Sequence, residues 1–230
     1  MNMRKIIKQP FVIFGSIFFI STMVLTGVLI HQVKGMAGGS NEALKPNTPL
    51  VENDKREYHL SKTATGYQKE IFDELLEAQK EYQSSQTEQT TQAYATAIVK
   101  NFIADFYTWT NKVNHSDVGG VQFIDKEMRP AFKKQAIDGY YETLDYYLEN
   151  EDASSLMSVN KVQITNVNLN DVIEVEGDED EMEQLDCISL QANWSYEPMG
   201  LAEETSLQTT ATFILTKVDG DLFINAILSE

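Results

Sequence analysis

The chain has 230 residues, of which 35 are acidic and 18 are Lys or Arg, and its formal charge of −17 accompanies an apolar share of 42%. Nucleic-acid binding depends on neutralising phosphates with Lys and Arg, so this acid surplus argues for partners other than DNA or RNA, while the ordinary apolar share excludes disorder throughout. Cys187 is the only cysteine, which excludes an internal disulfide, and the nearest histidine in sequence is His115, too remote to suggest a thiol protease.

Residues 11–30, opening at Phe11 and closing at Ile30, contain no charged, amide or imidazole side chain. As a helix they would be about 30 Å long, the thickness of a bilayer's hydrocarbon core. Arg4, Lys5 and Lys8 precede the run and only Lys34 closely follows it, which predicts a cytoplasmic stub over residues 1–10 and an exterior remainder. The run is longer than most cleaved signal cores and stands apart from the small-x-small stretch Gly35-Met36-Ala37, so a retained single-pass anchor in the cytoplasmic membrane is expected. Residues 31–58, with Gly35, Gly38, Gly39, Pro46 and Pro49, read as a flexible spacer reaching roughly 30 Å.

Neither Gly nor Pro occurs over residues 67–118, which predicts two helices. The first is a helical extension within residues 59–84 and places Ile71, Leu75, Ala78 and Tyr82 at helical spacing. The second begins the exterior domain, residues 85–230, at the capping-box pattern Ser85-x-x-Glu88, and carries Ile98, Phe102, Phe106 and Trp109 on one stripe beside Val99 and Ile103. Past Gly119-Gly120, a short helix with Val121, Phe123, Ile124 and Met128 is interrupted before Pro130, and helical stretches over 131–137 and 140–148 follow.

Beyond Ser155 the period changes to that of strands. Val162 and Ile164 share one parity and Val167 and Leu169 the other, so either a bulge lies near Thr165-Asn166 or two short strands meet there. Ile188, Leu190, Ala192, Trp194 and Tyr196 alternate with polar residues as a half-buried strand, and Leu207, Ala211, Phe213 and Leu215 form another. Asp219-Gly220 predicts a two-residue hairpin into a last strand with Leu222, Ile224, Ala226 and Leu228. The expected fold class is α+β: helices packed on one face of a four-stranded antiparallel sheet.

Eight acids crowd residues 174–186, but they lack the spacing, the central Gly and the closing Glu of a calcium loop, and read as a solvated hairpin loop. His31, His59 and His115 are not spaced for zinc, so no metal or cofactor is expected. Asp105, Tyr107 and His115 are the residues that could line an acid–base pocket, although their spacing is not diagnostic and packing or solvation is the plainer role. No nucleophile or phosphate-loop motif is present.

The order of one inward-anchored span, a spacer, a helix ending Phe102-Ile103-Ala104-Asp105-Phe106-Tyr107-Thr108-Trp109, then Gly119-Gly120-Val121-Gln122-Phe123 and a four-stranded meander ending at Asp219-Gly220 carries a resemblance. It resembles the nuclear-transport-factor-two-like domain of bitopic conjugation proteins, the TcpC-type and VirB-eight-type assembly factors of type IV secretion systems, particularly in Gram-positive mobile elements. The likeness runs over residues 92–228 and rests on order and patterning. It implies a cone-shaped domain acting as a non-enzymatic scaffold, with other secretion-channel subunits and further copies of itself as partners. It carries over no catalytic residue. The Gram-negative branch has an Asn-Pro-x-Gly turn before its last strand, where this chain offers only Glu197-Pro198-Met199-Gly200, one connection earlier. The tyrosines Tyr140, Tyr141, Tyr146 and Tyr147 would point around most of a helix, which makes them the candidate interface. An anchored module that binds a small ligand or cell-wall component, and an isomerase- or dehydratase-like enzyme on the same fold, are the rival readings.

Overall fold

The computed structural model describes residues 56–152, 155–176, 182–198 and 207–228. The expected anchor at residues 11–30 and most of the spacer lie outside these residues; among the described ones, no helix is long and apolar enough to cross a membrane.

Helix α1, Gly66–Ser84, starts at a reciprocal capping box in which Thr65 accepts from the Gln68 amide and Gln68 accepts from the Thr65 amide. Its stripe of Ile71, Leu75, Ala78 and Tyr82 is buried, so the helical extension is docked into the same core as the rest of the body. Helix α2, Glu88–Phe106, is capped by Thr87 with Thr90, two residues later than Ser85-x-x-Glu88 suggests. Ser85 is already used: its amide closes α1 by donating to the Glu81 carbonyl. Lying between α1 and the sheet, α2 is buried on several sides, with Tyr94, Ile98, Phe102, Ile103 and Phe106 all enclosed.

The chain leaves α2 at Tyr107, so Trp109 falls outside the helix despite its spacing and is fixed by its amide donating to the Met157 carbonyl at 2.7 Å. A 3-10 turn, Val121–Phe123, leads to α3, Arg129–Asp138, with Pro130 in its first turn, and then to α4, Leu144–Asn150. Residues 139–143 are turns. The tyrosine cluster therefore does not lie on one continuous helix, and helical spacing does not decide where Tyr140 and Tyr141 point.

Strands β1 (Val159–Glu176), β2 (Met182–Tyr196), β3 (Thr210–Val218) and β4 (Asp221–Leu228) form one sheet in sequence order, each pair antiparallel. The parity change in β1 is a bulge within one strand, since the register shifts between Ile164 and Asn166. The last hairpin turns at Asp219 (φ 51°) and Gly220 (φ 86°), the pair of positive φ values that a two-residue turn matched to strand twist requires. β1 and β2 pair as far as Glu176 and Met182, whereas β2 pairs with β3 only over Ile188–Asn193, so the first hairpin projects as a two-stranded arm. Glu174, Glu176, Glu183 and Asp186 of the acidic run are strand residues on that arm rather than loop residues.

One sheet face packs on α2 through Leu190, Ala192, Phe213 and Leu215. A smaller cluster, Ile173, Cys187, Ile214 and Ala226, marks the second face. This second face is why β3 is buried at successive positions from Ala211 to Thr216 instead of alternating.

Candidate functional site

The residues singled out for chemistry lie at the end of α2, where Asp105 sits, and in the following loop from Tyr107 to Gly120, whose form is dictated by two glycines pressed against that helix end. A Cβ on Gly119 would stand 2.2 Å from the Asp105 carbonyl oxygen, and one on Gly120, at φ +73°, would stand 2.7 Å from the Phe102 ring. That close approach lets the Gly120 amide donate to Asp105 Oδ2 at 2.7 Å, while Lys112 Nζ donates to Asp105 Oδ1 at 2.9 Å. The Lys112 side chain is only 4% exposed, so Asp105 is the counter-charge that makes its burial tolerable. Tyr141 completes the arrangement by donating to the Phe106 carbonyl at 2.6 Å and accepting from the Gly119 amide at 3.2 Å. Burial raises its phenol well above the ordinary range.

The three candidates for acid–base work are engaged apart from one another. Asp105 serves Lys112 and Gly120. Tyr107 is enclosed, donates to Gln208 Oε1 at 3.1 Å, and has its pKa raised by burial. His115 Nδ1 pairs with Asp145 Oδ2, and the His115 amide donates to Asp145 Oδ1 at 2.6 Å. These two bonds hold the Asp145 carboxyl below its usual range, the side-chain one being the larger cause.

The space that a cone would enclose is filled by rings. Phe102 packs with Phe106, Phe132 and Phe213 at centroid distances of 5.3, 5.9 and 5.8 Å, and Tyr107 lies 4.6 Å from Trp194. A small void between α1, α2 and the segment before α1, lined by the polar Gln68, Asn101 and Asp105 together with the apolar Leu60, Phe72 and Phe123, has a volume of about 20 Å³, the scale of one water. Between the C-terminal end of α1 and the start of α2 lies an open groove of about 580 Å³, lined by Glu77, Lys80, Glu81, Ser84, Gln89, Thr90 and Ala93. Among the described residues, no group of three or more His, Cys, Asp or Glu is placed to hold a metal ion.

The four candidate interface tyrosines separate into different environments. Tyr141 is fully enclosed by the contacts above and is therefore no surface residue. Tyr140 stacks on Phe106 at 5.1 Å and reaches Met157 Sδ, and Tyr147 leans on Trp109 at 5.8 Å. Only Tyr146 stands out, 64% exposed on α4. Val113, which the sequence reading passed over, is 72% exposed on the neighbouring loop, and the His115–Asp145 link ties that loop to α4. An apolar valine in an otherwise polar loop was the available signal. Val113, His115, Asp145 and Tyr146 thus form the best-defined candidate contact surface: two exposed side chains on elements joined by the two hydrogen bonds between His115 and Asp145.

No family model matches the chain, and no curated protein or solved structure is significantly similar to it.

Proposed function

We propose that the chain is a membrane-tethered scaffold of a conjugative type IV secretion channel, acting through protein contacts outside the cytoplasmic membrane. The observation that carries the non-enzymatic part is the separate employment of Asp105, Tyr107 and His115, each bound to a different structural partner. The aromatic filling between α2 and the sheet weighs in the same direction, against a ligand-holding cone. The secretion-channel part rests on the resemblance in element order, with which the α+β arrangement agrees.

Contact is expected at Val113 and Tyr146, because exposed tyrosine and aliphatic side chains on a rigid support are what interfaces use to exclude water. A tether in the same membrane raises the local concentration of partners, so contacts that are weak in solution suffice. The test is conjugative transfer by cells making Tyr146→Glu or Val113→Asp: transfer falls while the unfolding curve of the purified chain is unchanged. Normal transfer by both variants would refute this surface as the point of contact.

A further inference from the structure

The charge of this acidic chain is unevenly placed. Residues 162–216, which run from β1 through most of β3, hold twelve acids and no Lys, Arg or His. The start of α3 and the turn before it gather Lys126, Arg129, Lys133 and Lys134 within nine residues, with Glu127 as the one acid among them. Lys126, Lys133 and Lys134 are exposed, the last with 77% of its side chain in water. Asp125 and Asp138 flank the run, and Asp138 pairs with Lys134 one turn on, but a pair this exposed is weak and exchanges readily for another anion. Ile124, just before α3, bridges Ile224 on β4, so the basic run lies beside the β4 edge of the sheet. The acid-rich β1–β2 hairpin forms the other edge, three strand spacings or roughly 14 Å away.

The basic run also stands where the chain enters the folded body. Arg56, the first of the described residues, donates from Nη1 to the Leu222 carbonyl at 2.8 Å, with Nε 3.7 Å from Asp221 Oδ2. Three residues on, the His59 amide donates to Gln122 Oε1 at 2.8 Å, and Gln122 Nε2 donates back to the His59 carbonyl at 2.9 Å. Arg129 in turn donates from Nη2 to the Gln122 carbonyl at 3.3 Å and from Nε to the Ile124 carbonyl at 3.0 Å. Hydrogen bonds thus run without a break from the entering segment to the first turn of α3. Burial and then the neighbouring charge of Arg56 lower the Arg129 pKa, as expected where two cations are brought to one place.

The geometry points to a membrane-docking face: Lys126, Lys133 and Lys134 rest on the anionic lipid headgroups of the membrane that holds the anchor, with the acid-rich β1–β2 hairpin held away from them. This rests on the tethered reading above. Attraction of lysine to an anionic bilayer acts within about one Debye length, roughly 8 Å at physiological salt, so it is felt only by a face kept close to the lipid. A tether that joins the body beside these lysines keeps them close. Docking in this way converts a body free to turn on its tether into one of fixed orientation, so that Val113 and Tyr146 are presented to partners in a constant direction.

Lysine acetylation of the full-length protein in lipid nanodiscs supplies the test, with a neutral acetylating ester and peptide mass as the readout. In discs of phosphatidylcholine mixed with phosphatidylglycerol, Lys126, Lys133 and Lys134 should react at least about threefold more slowly than in phosphatidylcholine alone, and high salt should remove the difference. Lys161, exposed on β1, should react equally in both. Lys133→Glu combined with Lys134→Glu should abolish the protection of Lys126 with cooperative unfolding retained. Equal rates in the two lipids at all three lysines would overturn the proposal, and so would equal slowing of Lys161. Protection that appears in phosphatidylcholine alone and grows with protein concentration would give the face to a second copy, and protection by added single-stranded DNA without any by anionic lipid would give it to a nucleic acid; either result overturns the lipid assignment. A chain that does not enter the discs would refute the tethered reading together with this proposal, whereas equal rates in a chain that does enter them refute the proposal alone.

Discussion

Replacing Asp105 with Ala separates a structural carboxylate from a catalytic one. In the folded chain Asp105 balances the ammonium of Lys112, 4% exposed and 2.9 Å away, and accepts the Gly120 amide at 2.7 Å. Removing one partner of a buried ion pair costs about 3–5 kcal/mol, and stranding a buried amide costs about 1–3 kcal/mol. The Asp105 side chain is itself 29% exposed, so water reaches the vacated site and offsets part of the loss. The expected destabilisation is therefore about 3 kcal/mol, toward the lower end of the range for a broken buried pair. Lys112→Met keeps the aliphatic stem packed and leaves a carboxylate that still accepts from Gly120, so it should cost about 1 kcal/mol. The double variant should lose about 2 kcal/mol, well short of additive, because no unpaired ammonium remains. Urea unfolding of the detergent-solubilised chain, followed by fluorescence of the buried Trp109 and Trp194, reads all three. With a slope near 2 kcal/mol per molar, the Asp105→Ala midpoint should drop by roughly 1.5 M. A midpoint within experimental error of the parent, combined with lost activity in cells, would refute the structural assignment and return Asp105 to chemistry.

Gly120→Ala should cost about 2–3 kcal/mol, because it forces a side chain into positive φ against the Phe102 ring; a parent-like urea curve would contradict the close approach. Tyr141→Phe should lose about 1–2 kcal/mol with its buried hydrogen bond to Phe106, whereas Tyr146→Ala should stay within about 0.5 kcal/mol; equal losses would mean that the two tyrosines are not so differently placed. The depressed Asp145 carboxyl adds stability that is present above its unfolded value near 4 and is lost as pH falls through the folded value. The gap between parent and His115→Ala should accordingly narrow as pH drops below about 4, and a constant gap would show that the His115 contact does not depress that carboxyl. Cys187, with its thiol pushed up to about 12 chiefly by burial, should react with maleimide far more slowly at pH 8 in the folded chain than in urea, and equal rates would show an open second face.

The central helix was legible because Ile98, Phe102 and Phe106 repeat at helical spacing over a stretch without Gly or Pro. The last hairpin was legible because Asp219-Gly220 demands two positive φ values. Trp109 shows where periodicity overreaches: it continues the stripe, but the helix has ended at Tyr107. The tyrosine cluster failed for a related reason, since Gly139 and the turns through Thr143 break the helical frame on which its spacing was counted. Capping slipped by two residues because Ser85 was claimed by the helix before it. The Asp105–Lys112–Gly120 arrangement joins residues close in sequence, yet nothing in their types distinguishes a buried pair from a solvated one. Arg56 and Asp221 lie at opposite ends of the described chain, and single-sequence patterning holds no signal for such a pair.

Site-specific photo-crosslinking in intact membranes tests the scaffold reading most directly. A photoreactive residue placed at Tyr146 or Val113 should give discrete higher bands that contain either a second copy or another channel subunit, and the same residue at Lys134, on the exposed side of α3, should give none. Monomer alone from both surface positions, in cells where transfer is normal, would contradict the claim that this chain works by holding other proteins.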